Sequence, residues 1–226
     1  MRGGTQLHYF SQRDIQDIVT QVIAQSGLCS SPSPGKEIPV EISARHVHLD
    51  QASMEILFGP GAALTHKRDL SQPGQFLAQE RVKLVTPRGQ LDNVAILGPI
   101  RPENQVELSL TDARILGISP PIRLSGDLTG GGDVLIIGPK GVVEARGSAI
   151  VAKAHVHMTP SDARAYNVED GEHVDIRLGS QRPVTLNDVI VRVSPGFALA
   201  VHIDFDEANA AQVKGDNIIG ILQKSR

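Results

Sequence analysis

Two hydrophobic rhythms divide the chain. Between Ser11 and Ser26, the residues Ile15, Ile18, Val19, Val22 and Ile23 recur at helical spacing, which predicts one amphipathic helix. Ser11 stands in N-cap position with Asp14 in the capping-box place, and Gly27 ends the pattern. Cys29-Ser30-Ser31-Pro32-Ser33-Pro34-Gly35 reads as a linker. From Lys36 onward the rhythm changes to period two, rich in β-branched residues. It predicts strands over 37–44, 81–86, 91–98, 104–110, 121–125, 133–138, 142–146, 148–154, 173–178, 183–186, 188–194 and 198–204. Short helices are expected from Asp50 to Leu57 and from Thr159 to Tyr166, opened by the caps Asp50 and Thr159, with further ones at Asp112–Leu116 and Asp206–Ala211. The fold class expected is all-β dominated, built as barrels or sandwiches with short capping helices, plus the N-terminal helix.

Two strands end on the same tripeptide. Arg45-His46-Val47-His48-Leu49 and Ala154-His155-Val156-His157-Met158 each follow an alternating run. Residues i and i+2 of a strand share a face, so His46 pairs with His48 and His155 with His157, while Val47 and Val156 point away. Two imidazoles side by side form half of a zinc site. The chain has 8 histidines, and these motifs hold half of them. One His-x-His is commonly just solvated or hydrogen-bonded; two in matched context point to a shared chemistry.

The duplication extends downstream and exposes a third ligand for each pair. Asn93-Val94-Ala95-Ile96 precedes Gln105-Val106-Glu107-Leu108-Ser109, and Asn187-Asp188-Val189-Ile190 precedes Leu199-Ala200-Val201-His202-Ile203. Aligning Asp112-Ala113 with Glu207-Ala208 puts Glu107 and His202 in one column, both mid-strand among apolar neighbours. A histidine there is ordinarily a satisfied core residue, but here it shares its column with a carboxylate, and both types ligate zinc. Two expected metal sites result: His46, His48 and Glu107; then His155, His157 and His202. Three protein ligands with an open position mark catalytic rather than structural zinc.

Composition narrows the reading without changing it. A chain of 226 residues holds one large or two small domains. The net charge of −3 and 3% aromatic content favour neither nucleic acid nor an anionic membrane as partner. No apolar run approaches the ~20 residues of a membrane span, and no signal-peptide core is expected at the N-terminus. The single Cys29 fits a reducing cytoplasm and leaves metal binding to histidine and carboxylate. A βα-barrel amidohydrolase also begins with His-x-His, but needs a helical alternation that this chain lacks.

Several segments together resemble the PduL-type phosphotransacylases, also called phosphate propanoyltransferases. They are Ser43-Ala44-Arg45-His46-Val47-His48-Leu49, Gln72-Pro73-Gly74-Gln75-Phe76, Leu97-Gly98-Pro99-Ile100-Arg101 and Gln105-Val106-Glu107-Leu108-Ser109 in the first half. His155-Val156-His157-Met158, Asn187-Asp188-Val189 and His202-Ile203-Asp204 carry it in the second, and the resemblance covers roughly 37–212. It departs at Ala44, where the family often has Asn, and at Val47 and Val156, where Ile is common. It implies two six-stranded β-barrels, two Zn²⁺ ions and CoA as substrate and product, with acyl-CoA and phosphate as reactants. It also implies that the first strand joins the second barrel. The domains expected are then 1–26 as helix, 27–36 as linker, 45–152 as one barrel, and 37–44 with 153–224 as the other. Pattern alone cuts the chain into consecutive halves near residue 147.

The implied reaction needs a phosphate clamp. Arg101 fits, since a guanidinium fork matches phosphate and the second repeat has no arginine in its Ser194-Pro195-Gly196-Phe197 segment. Ser43, Arg68, Arg88 and Asn209 are the candidate CoA contacts. The helix over 11–26 buries its stripe on its own domain, on a neighbouring subunit or on a partner assembly. The resemblance favours the last, an encapsulation peptide for a bacterial microcompartment such as one for propanediol degradation, binding shell or core enzymes. A homo-oligomer within the cytoplasm is expected.

Overall fold

Alternation of apolar and polar residues builds fourteen strands and four short helices in the computed structural model, which describes residues 36–213 and 218–224. The expected helix over 11–26 and the linker up to Gly35 lie outside the described residues. The strands are β1 (Lys36–Ser43), β2 (His46–His48), β3 (His66–Asp69), β4 (Phe76–Val85), β5 (Gln90–Gly98), β6 (Gln105–Leu108), β7 (Ile122–Arg123), β8 (Gly132–Ile137), β9 (Val142–Ala152), β10 (His155–Met158), β11 (His173–Leu178), β12 (Val184–Val193), β13 (Ala200–Asp204) and β14 (Ile218–Lys224). The helices are α1 (Gln51–Phe58), α2 (Leu110–Leu116), α3 (Pro160–Tyr166) and α4 (Phe205–Ala210).

These strands close two six-stranded barrels. The first runs β4-β5-β2-β6-β9-β8 and returns to β4, with β3 and β7 as flanking additions. The second runs β1-β13-β10-β12-β11-β14 and closes on β1. Each barrel has its own apolar core. Val47, Ile96, Val106 and Ile136 belong to the first, Val156, Ile176, Val191 and Val201 to the second. Closure leaves neither main ring with an open edge.

The chain crosses between the barrels twice, each time in two residues. Ala44 and Arg45 join β1 to β2; Lys153 and Ala154 join β9 to β10. The first strand is thus spent on the second barrel, parallel to β13 (Glu41 opposite His202) and antiparallel to β14.

Three differences from the sequence pattern have physical causes. The expected strands 142–146 and 148–154 form one continuous β9, and 183–186 with 188–194 form one β12. A residue of positive φ stands at or beside each apparent break, Gly147 (φ 60°) at the first and Asp188 (φ 62°) next to the second. In the β11–β12 pair the register shifts as at a bulge, which disrupts alternation without ending the strand. Strand β3 has every side chain exposed, so no hydrophobic signal marks it. Strand β14 carries Gly220 where a Cβ would stand 2.8 Å from Ile176 Cγ2, a close crossing over the core in a run that lacks alternation.

Candidate metal centre and catalytic cavity

Strand pairing places the histidine motifs in equivalent frames. In the first barrel β2 lies parallel to β5 and antiparallel to β6, with His46 opposite Glu107. In the second, β10 lies parallel to β12 and antiparallel to β13, with His155 opposite His202. Glu107 and His202 therefore occupy the same structural position. Because Val47 and Val156 fill the barrel cores, alternation turns the four motif histidines outward from them.

Each ligand strand also stops in the same way. Two residues beyond His48, Glu107, His157 and His202 stand the helix caps Asp50, Ser109, Thr159 and Asp204. The last three form full capping boxes with Asp112, Asp162 and Glu207. The carboxylates that served as alignment markers thus fix the helices that fix the strand ends.

Two clusters result, His46, His48 with Glu107 and His155, His157 with His202, in each of which the potential ligand atoms lie within 4.8 Å of one another. Glu107 Oε2 is 3.6 Å from His46 Nε2, and Oε1 is 3.9 Å from His48 Nε2. Backbone carbonyls set the opposite ring nitrogens. His46 Nδ1 lies 2.8 Å from Ala44 O, His48 Nδ1 3.2 Å from Leu97 O and His155 Nδ1 2.8 Å from Lys153 O. A neutral ring donating from Nδ1 presents a bare Nε2 to the cluster, the usual arrangement behind a metal-binding histidine. Neither ring nitrogen of the buried His157 has a hydrogen-bond partner. An orphaned imidazole at the centre of a histidine cluster fits a metal ligand.

Five of the six residues are held in the protonation state that a metal requires, and His46 is the exception. Burial lowers the pKa of His48 to about 3, helped by the charges of His46 and Arg101. Burial lowers His157 to about 2 and His202 to about 3, each helped by the neighbouring histidines, and lowers His155 as well. For Glu107, burial favours the neutral acid, but the charge and hydrogen bond of His46 hold it well below the usual carboxylate range. Burial opposes charging His46, yet Glu107 raises its pKa. Neutral imidazoles and an ionised carboxylate are the forms that bind metal. Both clusters could hold metal ions.

Both clusters open on one cavity of about 660 Å³. Of the expected substrate contacts, Ser43, Arg68 and Arg101 line it. Arg88 and Asn209 do not: Arg88 is exposed in the β4–β5 turn, its stem beside Gly117, and Asn209 is exposed on α4. The half-buried Arg101 is held by its backbone, whose N–H donates to Leu49 O (2.9 Å), and by Nη1 donating to Ser125 Oγ (3.1 Å). Gln105 donates to both Ser125 Oγ and Glu107 Oε1, tying Arg101 to the first cluster. In the second barrel, Ser194 N–H donates to Met158 O, so Ser194 stands where Arg101 stands in the first.

Sequence reasoning missed a further cation of the cavity, Arg192. Arg192 lines the same cavity, opposite His157 across the β10–β12 pair and 5.7 Å from the Phe197 ring centroid. Its counterpart by register is Leu97, beside His48. An arginine in an otherwise apolar strand column was the available signal. Gln72 and Gln105 carry no role in the sequence pattern beyond motif membership, yet both are buried, and their amides reach cluster residues.

Residues 39–214 match the phosphate propanoyltransferase family. The chain is 48% identical to a phosphate propanoyltransferase of Alkaliphilus metalliredigens over 200 residues, covering 88% of this chain and 93% of that one. It is 50% identical to one of Listeria monocytogenes over 189 residues (84% and 89% covered) and 46% identical to one of Thermotoga maritima over 187 (82% and 89%). The duplicated clusters, the shared cavity and these relatives together place the chain in the phosphate propanoyltransferase family.

Proposed function

We propose that the chain is a phosphotransacylase that converts propionyl-CoA, or a similar short acyl-CoA, and phosphate into acyl phosphate and CoA. The observation that carries this reading is the convergence of two register-equivalent clusters and several arginines, Arg101 and Arg192 among them, on one cavity. In the reaction the thioester C–S bond breaks, a C–O bond to phosphate forms, and the electron pair leaves with sulfur. Zinc bound at the clusters supplies Lewis-acid polarisation and a lowered thiol pKa. The protein's part is to bind and aim. Arg101 clamps phosphate with its planar fork, and Ser125 and Gln105 hold that fork in register with Glu107. Arg192 adds positive charge on the side of the second cluster. Ser43 and Arg68 serve the CoA tail. Burial of the clusters keeps bulk water from competing with phosphate for the acyl group.

The test follows CoA release from propionyl-CoA with and without phosphate, and traps the acyl phosphate with hydroxylamine. About two zinc equivalents per chain are expected, falling to about one in His48→Ala or His157→Ala with near-complete loss of turnover. Phosphate-independent CoA release, or full activity after thorough demetallation, would overturn the proposal.

On the apolar stripe of the sequence alone, we further propose that residues 11–26 bind shell or core enzymes of a bacterial microcompartment, and that the enzyme works there, within the cytoplasm, as a homo-oligomer. Among the described residues no helix is long and apolar enough to cross a membrane.

A further inference from the structure

Of the five cluster histidines, three turn Nδ1 to a backbone carbonyl, His157 has no hydrogen-bond partner, and His202 is the exception. His46 and His155 each turn Nδ1 to a carbonyl two residues back in their own chain segment, and His48 to the carbonyl of Leu97 on the neighbouring strand. Glu107 takes the amide of Gln105 on its own strand. Neither ring nitrogen of His157 has a hydrogen-bond partner. His202 instead meets a carboxylate: Glu41 Oε2 lies 3.8 Å from its Nδ1. The register makes this contact structural, because Glu41 stands directly opposite His202 in the parallel β1–β13 pair. The same Glu41 oxygen accepts a hydrogen bond from Ser71 Oγ in the first barrel. The next residue, Gln72, donates to Ala198 O (3.0 Å) and accepts from Ala198 N–H (3.1 Å), and its amide nitrogen lies 3.3 Å from His202 Nε2. The Gln72-Pro73-Gly74-Gln75-Phe76 motif therefore begins with a segment of one barrel that braces a cluster residue of the other. Its turn is set by Gly74 (φ 76°) and closed by Gln75 N–H donating to Gln72 O.

We propose that Glu41 is the positioning carboxylate of the second metal site, held by Ser71 on the Nδ1 side of His202 and orienting that ring. A carboxylate behind a histidine fixes its tautomer and raises its donor strength. His202 then differs from the other histidines by design of its surroundings, and the two sites differ in kind as well as in ligand set. Placing the support across the barrel boundary ties the affinity of one site to the docking of the other barrel's loop.

This inference rests on the metal reading of the clusters. Metal-stripped full-length protein is titrated with Zn²⁺ against a chromophoric chelator, which resolves the two sites without any activity measurement. Glu41→Gln is expected to weaken one of the two sites by ~10–100-fold and to leave the other unchanged. Ser71→Ala should weaken the same site by less. In a His157→Ala background, where the second cluster is already broken, Glu41→Gln should change nothing. Unchanged affinity at both sites in Glu41→Gln overturns the proposal, and so does a weakening that persists in the His157→Ala background. Wild-type protein that binds no zinc overturns the metal reading itself. The thermal midpoint of the metal-free variants separates a lost contact from a lost fold, and Glu41→Gln, nearly isosteric on a partly exposed strand residue, should leave it unchanged.

Discussion

Replacing Arg101 with alanine tests the phosphate clamp most directly. The substitution is clean in structure: the backbone N–H that anchors this position on Leu49 O is retained, and only the side-chain bond to Ser125 is lost. Burial and the nearby Arg192 both lower the pKa of Arg101, so its cation is partly stripped of water before substrate arrives. A charge-assisted hydrogen bond in such a setting contributes ~1.5–3 kcal/mol. At about 1.36 kcal/mol per decade, that is roughly a 10- to 150-fold loss in kcat/KM for phosphate. Because Arg101 is only half-buried and Arg192 remains, the lower part of that range is expected. Arg101→Lys should recover little, since a point charge cannot replace a fork. The measurement is initial rate against phosphate at saturating acyl-CoA, with zinc content and thermal midpoint checked alongside. Phosphate dependence indistinguishable from wild type, in folded and metallated protein, would refute the clamp. An equal fall in affinity for acyl-CoA would show that the residue serves the cavity at large.

Two other outcomes are expected. Burial, together with Asp204 and Asp206, raises the pKa of Glu207 to about 7 against an ordinary value of 4.5. The folded state therefore holds this proton more tightly than the unfolded chain, and stability falls as pH rises from about 4.5 through 7. Glu207→Gln, which keeps an oxygen for the Asp204 N–H, should be more stable than wild type at pH 8 by on the order of 1–3 kcal/mol and nearly equal at pH 4.5; urea melts at both pH values decide, and equal differences at the two would refute the assignment. Deleting residues 1–33 should leave turnover per zinc intact, since every cluster residue and Arg101 follows residue 42, while reducing self-association by size exclusion or co-purification with shell proteins; loss of turnover with unchanged mass would make that segment part of the catalytic fold.

The clusters are legible in the sequence because their geometry is one-dimensional. A His-x-His on a strand fixes two side chains on one face, and a duplicated chain shows its third column by comparison with itself. The capping helices are legible for the same reason, since Asp50 and Thr159 act on residues three places away. What escapes is everything set by register between strands. Arg192 becomes a site residue only once β10 and β12 pair, and the reach of Gln72 to Ala198 depends on how one barrel's loop meets the other's. Arg88 and Asn209 stand outside the cavity lining because a cation or amide near a motif in sequence need not face the cavity; Arg88 sits beyond the far end of β4. The β9 and β12 breaks were misleading because a bulge and a strand end interrupt alternation alike.

The early placement of β1 sets an order of assembly. A chain emerging from the ribosome delivers every strand of the first barrel, β2 to β9, before any of β10 to β14 exists. That barrel can close on local and mid-range contacts, bringing His46, His48 and Glu107 together, while β1 still lacks both neighbours. Ile38 and Val40, buried in the finished protein, remain uncovered through that interval. Long-range pairing of this kind is slow and open to aggregation. The first cluster is thus available to a metal while the second still awaits His202 and, with it, the strand that carries Glu41 to its place.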